Sequence, residues 1–286
     1  MIDEKLVRCA VCGSAELAQW FRTQFGAIGR CRGCGQVLRA DHPNRSSHVV
    51  LHQTSNLHLS TYALLSEHAS ADLRIYDGFL KLCGGTPGGR ILDVGCGAGE
   101  FLRLALNRGF LVAGIEPIRE LRTQAEQKTG SSILSTALED SDFPDRSFDG
   151  VAIWDVIEHL VDPRGALDRV HALLRPGGFL GIATLNHRSL MYGIFHGLRH
   201  LVPPVADRVE SMLFNPFHTY YFSKKSLARM VRAAGFDIVE HRGYEFPTSR
   251  LAVPWVVKSA MRCLYVVQGA CGLEGEQYLL ARKAAA

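Results

Sequence analysis

The chain has 286 residues, of which 47% are hydrophobic and 21% charged, and its 32 basic and 28 acidic side chains give a net charge of +4. This composition is that of an ordinary globular protein, and it excludes a disordered chain, a collagen-like fibre and a disulfide-stapled miniprotein. The small positive balance disfavours a dedicated nucleic-acid binder.

The sequence lacks the signals of export and membrane insertion. No apolar run reaches the ~18–20 residues that a bilayer span needs. The first residues, MIDEKLVRCAVC, place acids early and contain no apolar stretch of a secretion signal. We therefore expect a cytoplasmic protein, in a reducing compartment where paired cysteines favour metal binding over disulfides.

Two Cys-x-x-Cys pairs dominate the first unit of the chain. Eighteen residues separate the pairs, and a glycine follows each of them. This spacing lies within the range of structural zinc sites, in which four thiolates close the coordination sphere. We predict a small zinc ribbon over residues 1–40, with a structural and not a catalytic metal. The predicted ligands are Cys9, Cys12, Cys31 and Cys34.

The rest of the chain alternates between strand and helix patterns. A polar stretch over 41–60, with four histidines, is predicted to be a linker. Apolar residues at helical spacing over 62–82 predict an amphipathic helix. Alternation beyond that point is typical of βαβ units with a mostly parallel sheet. Strands are predicted at 90–94, 111–115, 132–134, 148–154, 179–183, 236–240 and 276–281. Helices are predicted at 99–108, 118–129, 164–175 and 224–234.

The segment ILDVGCGAGEFL, residues 91–102, is the most informative in the chain. Glycines that follow a buried strand and precede a helix let the backbone turn sharply and approach a ligand. The spacing G-x-G-x-G departs from the dinucleotide pattern G-x-G-x-x-G, and Glu100 would face a pyrophosphate. S-adenosylmethionine, which has a positive centre and no phosphate, fits better, with Asp93 near its cationic end. An NAD-dependent oxidoreductase remains as a remote alternative.

An acid follows the second predicted strand. Glu116 lies roughly 20 residues after Gly95, the spacing at which an acid reaches ribose hydroxyls. A carboxylate can accept both hydroxyl hydrogens through charge-assisted hydrogen bonds. We therefore predict that Glu116 binds the ribose.

Over about residues 60–286 the sequence resembles the class I S-adenosylmethionine-dependent methyltransferases. The resemblance implies an α/β fold: a doubly wound, seven-stranded Rossmann-like sheet whose last strand is antiparallel, here over residues 61–286 behind the zinc ribbon. The matching pieces follow the family's order. They are the glycine loop at 93–99, Glu116, ALEDSDFPDRSFD at 137–149, WDVIEHL at 154–160 and LRPGG at 174–178.

The resemblance also implies which residues hold the cofactor. Leu138 and Glu139 would contact the adenine, although an Asp usually stands where this chain has Ala137. Trp154 and Asp155 would line the methionine portion. The candidate cofactor residues are Asp93, Gly95, Cys96, Gly97, Gly99, Glu116, Pro117, Leu138, Glu139, Trp154 and Asp155. We interpret Cys96 as a small packed residue and not as a nucleophile.

Two histidines are candidates for a catalytic base. The sequence HTYYFS at 218–223 resembles a His-x-x-x-Phe-Ser stretch of bacterial small-molecule methyltransferases that also carry paired cysteines. Methyl transfer from a sulfonium needs no acid for its leaving group, and it needs a base only when the acceptor must lose a proton. Histidine suits that role near neutral pH. We favour His159 slightly over His218, and a structural hydrogen-bonding role is the alternative for each.

The predicted acceptor is an O, N or C nucleophile of a small molecule: a sugar, a specialised metabolite or a lipid-like quinone precursor. The alternative is a protein or RNA partner docked by the ribbon. That alternative has its support in Arg30, Arg32, Arg39 and Arg45.

Two apolar segments outside the motifs, 190–202 and 250–267, have three interpretations. We expect them to cap the substrate pocket. They could instead contact a membrane surface and admit a lipid-like substrate, or simply be core. In the membrane case Arg199, His200, Lys258 and Arg262 would face anionic headgroups.

Overall fold

The computed structural model of the chain describes residues 8–23, 25–41, 72–84, 88–198, 210, 213–214, 217–245 and 255–285. All but the first residue of the predicted linker, with its four histidines, lies outside these ranges. The first ten residues of the helix predicted from residue 62 lie outside them as well.

Most of the predicted strands and helices lie close to described ones, but β8 begins five residues before its predicted strand, and β9, α5 and α7 have no predicted counterpart. The strands are β1 (Leu17–Thr23), β2 (Gly26–Cys31), β3 (Val37–Arg39), β4 (Arg90–Val94), β5 (Leu111–Ile115), β6 (Ile133–Leu134), β7 (Phe148–Trp154), β8 (Leu174–Leu185), β9 (Tyr220–Tyr221), β10 (Phe236–Tyr244) and β11 (Glu276–Lys283). The helices are α1 (Asp72–Cys83), α2 (Glu100–Asn107), α3 (Arg119–Thr129), α4 (Pro163–Leu173), α5 (Leu190–Leu198), α6 (Lys224–Ala233) and α7 (Trp255–Cys271). Leu138–Asp140 forms one 3₁₀ turn.

The larger sheet has seven strands in the order β10-β11-β8-β7-β4-β5-β6. Strand β4 is parallel to β5 and β7, whereas β11 is antiparallel to both β8 and β10. The predicted α/β sheet with an antiparallel last strand is therefore confirmed. The strand order reverses between β4 and β7, and open α/β sheets bind ligands outside the carboxyl ends of the strands at such a reversal.

Helices cover both faces of this sheet. Successive strand side chains point to opposite faces, so Ile91 packs in the same cluster as Phe79 of α1 and Phe101 of α2. Its neighbour Leu92 packs in the other cluster, with Leu167 of α4. The sheet is thus doubly wound, as predicted. Each such buried side chain contributes about 1.5–3 kcal/mol of hydrophobic stabilisation.

Strand β8 is longer than the predicted strand at 179–183. It begins at Leu174, which pairs with Phe148, and the register shifts before the pairing of Gly150 with Phe179. The predicted helix at 164–175 is two residues too long, because α4 ends at Leu173 and β8 begins at the next residue. Gly177, with φ of 78°, lets the strand pass through an irregularity and continue.

The ribbon is joined to the rest of the molecule by backbone pairing. Strands β1, β2 and β3 form a second sheet whose fourth strand is β9. Val37 pairs with Tyr221, and Leu38 with Tyr220. The buried side chain of Gln36 donates its Nε2 hydrogen to the carbonyl oxygen of Tyr221 at 3.0 Å. The ribbon therefore extends its sheet with a strand that begins two residues after His218.

The two apolar segments differ in burial. Tyr192 and Phe195 of α5 are 4% and 2% exposed and pack against Phe21 of the ribbon. Residues 199–202 and 250–254 lie outside the described ranges. In α7, by contrast, large apolar side chains are exposed, namely Trp255, Val256, Val266 and Val267. Within the described ranges, no helix combines the length and the hydropathy that crossing a bilayer requires.

Candidate active site

The glycine loop after β4 has the left-handed backbone that its sequence predicted. Gly95, Gly97 and Gly99 have φ of 73°, 52° and 83°. A Cβ at Gly95 would lie 2.5 Å from Val156 Cγ2, and one at Gly99 would lie 2.9 Å from the Cα of Ala125. A Cβ at Gly97 would meet no atom within 4 Å. The loop is therefore packed on two sides and open at Gly97, where a ligand can approach the backbone.

Glu116 connects the glycine loop to the end of β5. It is 5% exposed, and its two carboxylate oxygens accept hydrogens from the amides of Gly97 at 2.9 Å and Ile118 at 2.8 Å. Burial raises its pKa, and these two amides oppose that effect. A carboxylate offers about four acceptor positions, so it retains acceptor capacity for ribose hydroxyls. Its support of the loop is a second role that spacing alone did not indicate.

Asp93, at the carboxyl end of β4, is a buried acid that lacks full compensation. It is 2% exposed, and no described residue hydrogen-bonds its Oδ1. Burial, followed by the charge of Glu116, raises its pKa well above the usual range. A buried polar atom without a partner is costly. The cationic methionine end of S-adenosylmethionine would supply the missing charge, so the residues present fit this cofactor.

Three further candidates lie around the same strand ends. Cys96 is 7% exposed, and its thiol packs against Gly114 of β5, so only its backbone lies along the open side of the loop. The carbonyl oxygen of Pro117 accepts a hydrogen from Arg122 at 3.1 Å, which anchors this turn. In the 3₁₀ turn Leu138 is buried, whereas its neighbour Glu139 is exposed.

Trp154 and Asp155 lie at the carboxyl end of β7. The Trp154 ring belongs to the core, with ring centroids 5.6 Å from Phe79 and 5.5 Å from Phe101. No described residue accepts a hydrogen bond from its buried Nε1. Asp155 has φ of 54°, a left-handed conformation that a non-glycine residue adopts at a cost of about 1–3 kcal/mol and that clusters at functional sites.

The two predicted base candidates are in contact. The ring centroids of His159 and His218 are 4.7 Å apart, edge to face. His159 Nδ1 lies 3.0 Å from the carbonyl oxygen of Phe217. Glu158 is 3% exposed, and one of its carboxylate oxygens lies within 4.8 Å of a ring nitrogen of each histidine. We did not predict a role for Glu158; the only sequence signal was its place between apolar residues and His159.

Burial, followed by the charge of Asp155, raises the pKa of Glu158 to about 8. An unfolded glutamate ionises near ~4.3, so between these two values the folded chain holds a proton that the unfolded chain has lost. The stability that this proton contributes is complete below the lower value and decreases as pH rises towards 8.

Between pH 5 and 8 we expect the unfolding free energy of Glu158→Gln to decrease less steeply with pH than that of the wild type. The reason is that the glutamine side chain does not titrate. Urea unfolding at each pH measures the slope. Glu120→Gln, which changes an exposed glutamate on α3, should leave the slope as it is in the wild type. A Glu158→Gln slope equal to that of the wild type would show that the buried carboxyl does not hold the proton.

The four cysteines form a second cluster. Cys9 and Cys34 have Sγ atoms 3.6 Å apart, those of Cys12 and Cys31 are 3.5 Å apart, and all four lie within 4.8 Å of one another. The thiols are unbridged. A tetrahedron with Zn–S bonds of about 2.3 Å has sulfur separations near ~3.8 Å. The donor set and its spacing thus fit a zinc ion.

The sequence analysis expected the charge of Glu100 to disfavour a pyrophosphate, but the structure pairs this carboxylate with two cations. Its carboxylate lies 2.6 Å from Lys128 Nζ and 3.2 Å from Arg103 Nη2. Burial raises its pKa, but the hydrogen bonds and charges of these two cations outweigh that effect and lower it. The carboxylate is therefore compensated on the protein surface, and it opposes a pyrophosphate less than the sequence suggested.

The doubly wound sheet, its antiparallel last strand, and the glycine loop and acid after its first two strands define the class I S-adenosylmethionine-dependent methyltransferases. The chain belongs to this class: a sequence profile described as a methyltransferase domain matches residues 66–241. This match favours the sulfonium cofactor over the dinucleotide alternative.

Named relatives agree with the class. The chain is 31% identical over 187 residues to a ubiquinone biosynthesis O-methyltransferase from Nitrobacter winogradskyi, which covers 62% of this chain and 67% of that protein. It is 31% identical over 171 residues to a protein of the same name from Aeromonas salmonicida. That alignment covers 57% of this chain and 69% of the Aeromonas protein. The fold is similar to that of an S-adenosylmethionine-dependent methyltransferase from Archaeoglobus fulgidus, with a TM-score of 0.53, 22% identity, and coverage of 74% and 92%.

Proposed function

We propose that this methyltransferase transfers the methyl group to a hydroxyl oxygen of a small molecule, with His159 as the general base. The observation that supports this most is the contact between His159 and His218 beyond β7, beside buried Glu158. The relatives named above are O-methyltransferases by name, and a hydroxyl is the acceptor that needs a base.

The hydrogen bond of His159 selects its tautomer. The carbonyl oxygen of Phe217 can only accept, so a neutral His159 ring carries its hydrogen on Nδ1 and its lone pair on Nε2. Nε2 can then take the proton of an acceptor hydroxyl as the oxygen attacks the methyl group. Alignment of the reacting groups supplies ~7–11 kcal/mol in well-positioned reactions.

We propose that the strand ends hold the methyl donor. S-adenosylmethionine, when bound, supplies a methyl group on a positively charged sulfur. Glu116 would accept the ribose hydroxyls, and Asp93 would compensate the cationic end. Leu138 and Glu139 would contact the adenine, while Trp154 and Asp155 would line the methionine portion. The buried acids and the open backbone at Gly97 support the roles of Asp93 and Glu116. The adenine and methionine contacts are those that the resemblance to the family implies.

We also propose that the four cysteines hold a structural zinc ion. Strand β3 of the ribbon pairs with β9, and the amide of Arg39 donates to the carbonyl oxygen of Thr219 at 2.9 Å. The metal would thus stabilise a ribbon whose edge holds the segment next to His218. This role is positional, since the four thiolates would leave no coordination position for a substrate.

We expect His159→Gln to lower kcat by about 10²–10⁴-fold with a hydroxyl acceptor, because it removes the base. S-adenosylhomocysteine formation with a panel of phenols and sugars measures turnover, and calorimetry with S-adenosylhomocysteine checks that cofactor affinity is retained. His171→Gln, on α4, is the control. If His159→Gln kept the wild-type kcat and pH profile, another group would have to be the base.

A protein or RNA partner docked by the ribbon has less support. The β3 edge is already paired with β9. Of the four arginines, Arg39 pairs with Asp41 at 3.5 Å and donates to the carbonyl of Phe25, and Arg45 lies outside the described ranges. Filter binding of tRNA at two salt concentrations distinguishes this alternative, since phosphate contacts weaken with salt.

Contact with a membrane surface stays a prediction, as does the cytoplasmic location. The exposed Trp255 and Val266 of α7, with Lys258 and Arg262 on the same helix, are consistent with such contact. Arg199 and His200, the other two expected cations, lie outside the described ranges.

A further inference from the structure

A cleft of about 360 Å³ lies between the ribbon and the methyltransferase sheet. Its walls come from the ribbon, from the residues 186–188 that follow β8, from the first turns of α6 and from the two residues that follow α7. Among its lining residues Cys34 is a proposed zinc ligand, and none belongs to the proposed methyl-donor or base sites. We call it the cationic cleft because its lining contains basic residues and no acid. The basic residues are Arg30, Arg188, Lys224, Lys225 and Arg229.

Two of these cations have structural neighbours. Lys224 forms a salt bridge with Glu274 at 2.8 Å. Arg30 lies beside Gly35, next to the cysteine cluster. No salt bridge joins Arg188, Lys225 or Arg229 to an acid in the described part of the chain. Like charges at one cleft repel each other, so an anion would stabilise this wall.

A buried histidine provides an independent indication of a ligand. His187 lines the cationic cleft and is 8% exposed, yet its Nδ1 has no hydrogen-bond partner among the described residues. Burial, followed by the charges of Arg188, His196 and Arg30, lowers its pKa to about 3. The ring is therefore neutral at neutral pH, and the one hydrogen on its ring nitrogens has no acceptor among the described residues. A buried ring nitrogen without a hydrogen-bond partner is destabilising.

Helix α6 adds to the positive potential. It begins after Ser223 and spans ten residues, Lys224–Ala233, with its first turn at the cleft. The amino end of a helix carries a partial positive charge and favours anions. Ser223 accepts a hydrogen from the amide of Ser226, so the cap is satisfied by the chain itself. The helix end therefore contributes a field to the cleft, in addition to its side chains.

We propose that the cationic cleft binds the phosphate group of a phosphorylated small molecule. Arg188, Lys225 and Arg229 supply the charge, and His187 supplies a directed hydrogen bond from a buried ring. Arginine forms paired hydrogen bonds to phosphate oxygens, which makes this group a better match than a single halide ion. The proposal does not depend on the identity of the methyl acceptor or on the role of His159.

Isothermal calorimetry on the full chain tests the cleft, with inorganic phosphate and glycerol 3-phosphate as probes and glycerol as the uncharged control. We expect saturable binding of both phosphates at about 1 mM or tighter. Arg229→Gln should weaken it by about tenfold, the loss of one charge-assisted bond. Arg232→Gln, on the same helix but outside the cleft, is the matched control and should change affinity less than about twofold.

The variant His187→Phe distinguishes binding at a specific site from non-specific electrostatic attraction of phosphate. It keeps an aromatic ring in place and leaves the net charge at neutral pH unchanged, so a diffuse positive field predicts no effect. We expect weaker phosphate binding with a melting temperature at or above that of the wild type, because phenylalanine removes the unpaired ring nitrogen.

Four outcomes would overturn the proposal: no saturable binding below about 10 mM, equal effects of Arg229→Gln and Arg232→Gln, unchanged binding by folded His187→Phe, or cleft-dependent binding of tRNA without binding of glycerol 3-phosphate. The assay contains no methyl donor, so its result is independent of methyl transfer.

Discussion

Gly97→Leu is expected to lower the affinity for S-adenosylhomocysteine by at least about 100-fold, which corresponds to about 2.7 kcal/mol. A Cβ at this position meets no protein atom within 4 Å, so the new side chain would occupy the open side of the loop. That is the side on which we place the cofactor. The amide of Gly97 also donates to Glu116 at 2.9 Å, so any shift of the backbone would move the proposed ribose acceptor.

The matched control is Gly109→Leu. Gly109 has φ of 84° against 52° at Gly97, and a Cβ there also meets nothing within 4 Å. Both variants therefore place a side chain on left-handed backbone, at about 1–2 kcal/mol of strain. Only Gly97 lies in the loop after β4, whereas Gly109 lies between α2 and β5. Calorimetry measures the affinity for S-adenosylhomocysteine, and thermal unfolding measures the stability that each variant loses to backbone strain. Equal affinities in the two variants would place the cofactor elsewhere.

Cys31→Ser is expected to remove zinc from the protein and to lower its unfolding free energy by several kcal/mol, since a structural zinc contributes directly to folding. Cys31 is 1% exposed and packs in one core cluster with Leu38 of β3 and Tyr220 of β9. Loss of the metal would therefore loosen the β3–β9 pairing as well as the ribbon. Metal analysis should find about one zinc per wild-type chain, and urea unfolding measures the stability.

Cys263→Ser is the control for this substitution, because Cys263 is exposed on α7 and lies outside the cysteine cluster. It should keep the zinc and the wild-type stability. A metal-free wild-type protein whose stability is insensitive to Cys31→Ser would mean that the four thiols are not a zinc site. A lowered methyl transfer rate in Cys31→Ser is expected as a secondary effect, through the segment that holds His218.

Local patterns determined most of the sheet and the glycine loop. Residues 90–94 form a strand because they are a short apolar run that ends at glycines, and β4 has these bounds. The positive φ at Gly95 and Gly97 follows from a residue type that adopts this conformation without steric cost. The spacing of each Cys-x-x-Cys pair likewise brings its two sulfurs to one side of a short loop, but tertiary structure brings the two pairs together, with Cys9 Sγ 3.6 Å from Cys34 Sγ.

Tertiary structure alone decided which distant residues meet. His159 and His218 come into contact, and Thr219 of the same segment donates to the carbonyl oxygen of Glu158 at 2.8 Å. Strand β9 has only two residues, too few to show an alternating pattern, so its pairing with the ribbon left no local signal. The raised pKa of Glu158 and the unpaired Nδ1 of His187 are consequences of burial. Burial depends on how separate segments pack, and a local sequence pattern reports only the residues within one segment.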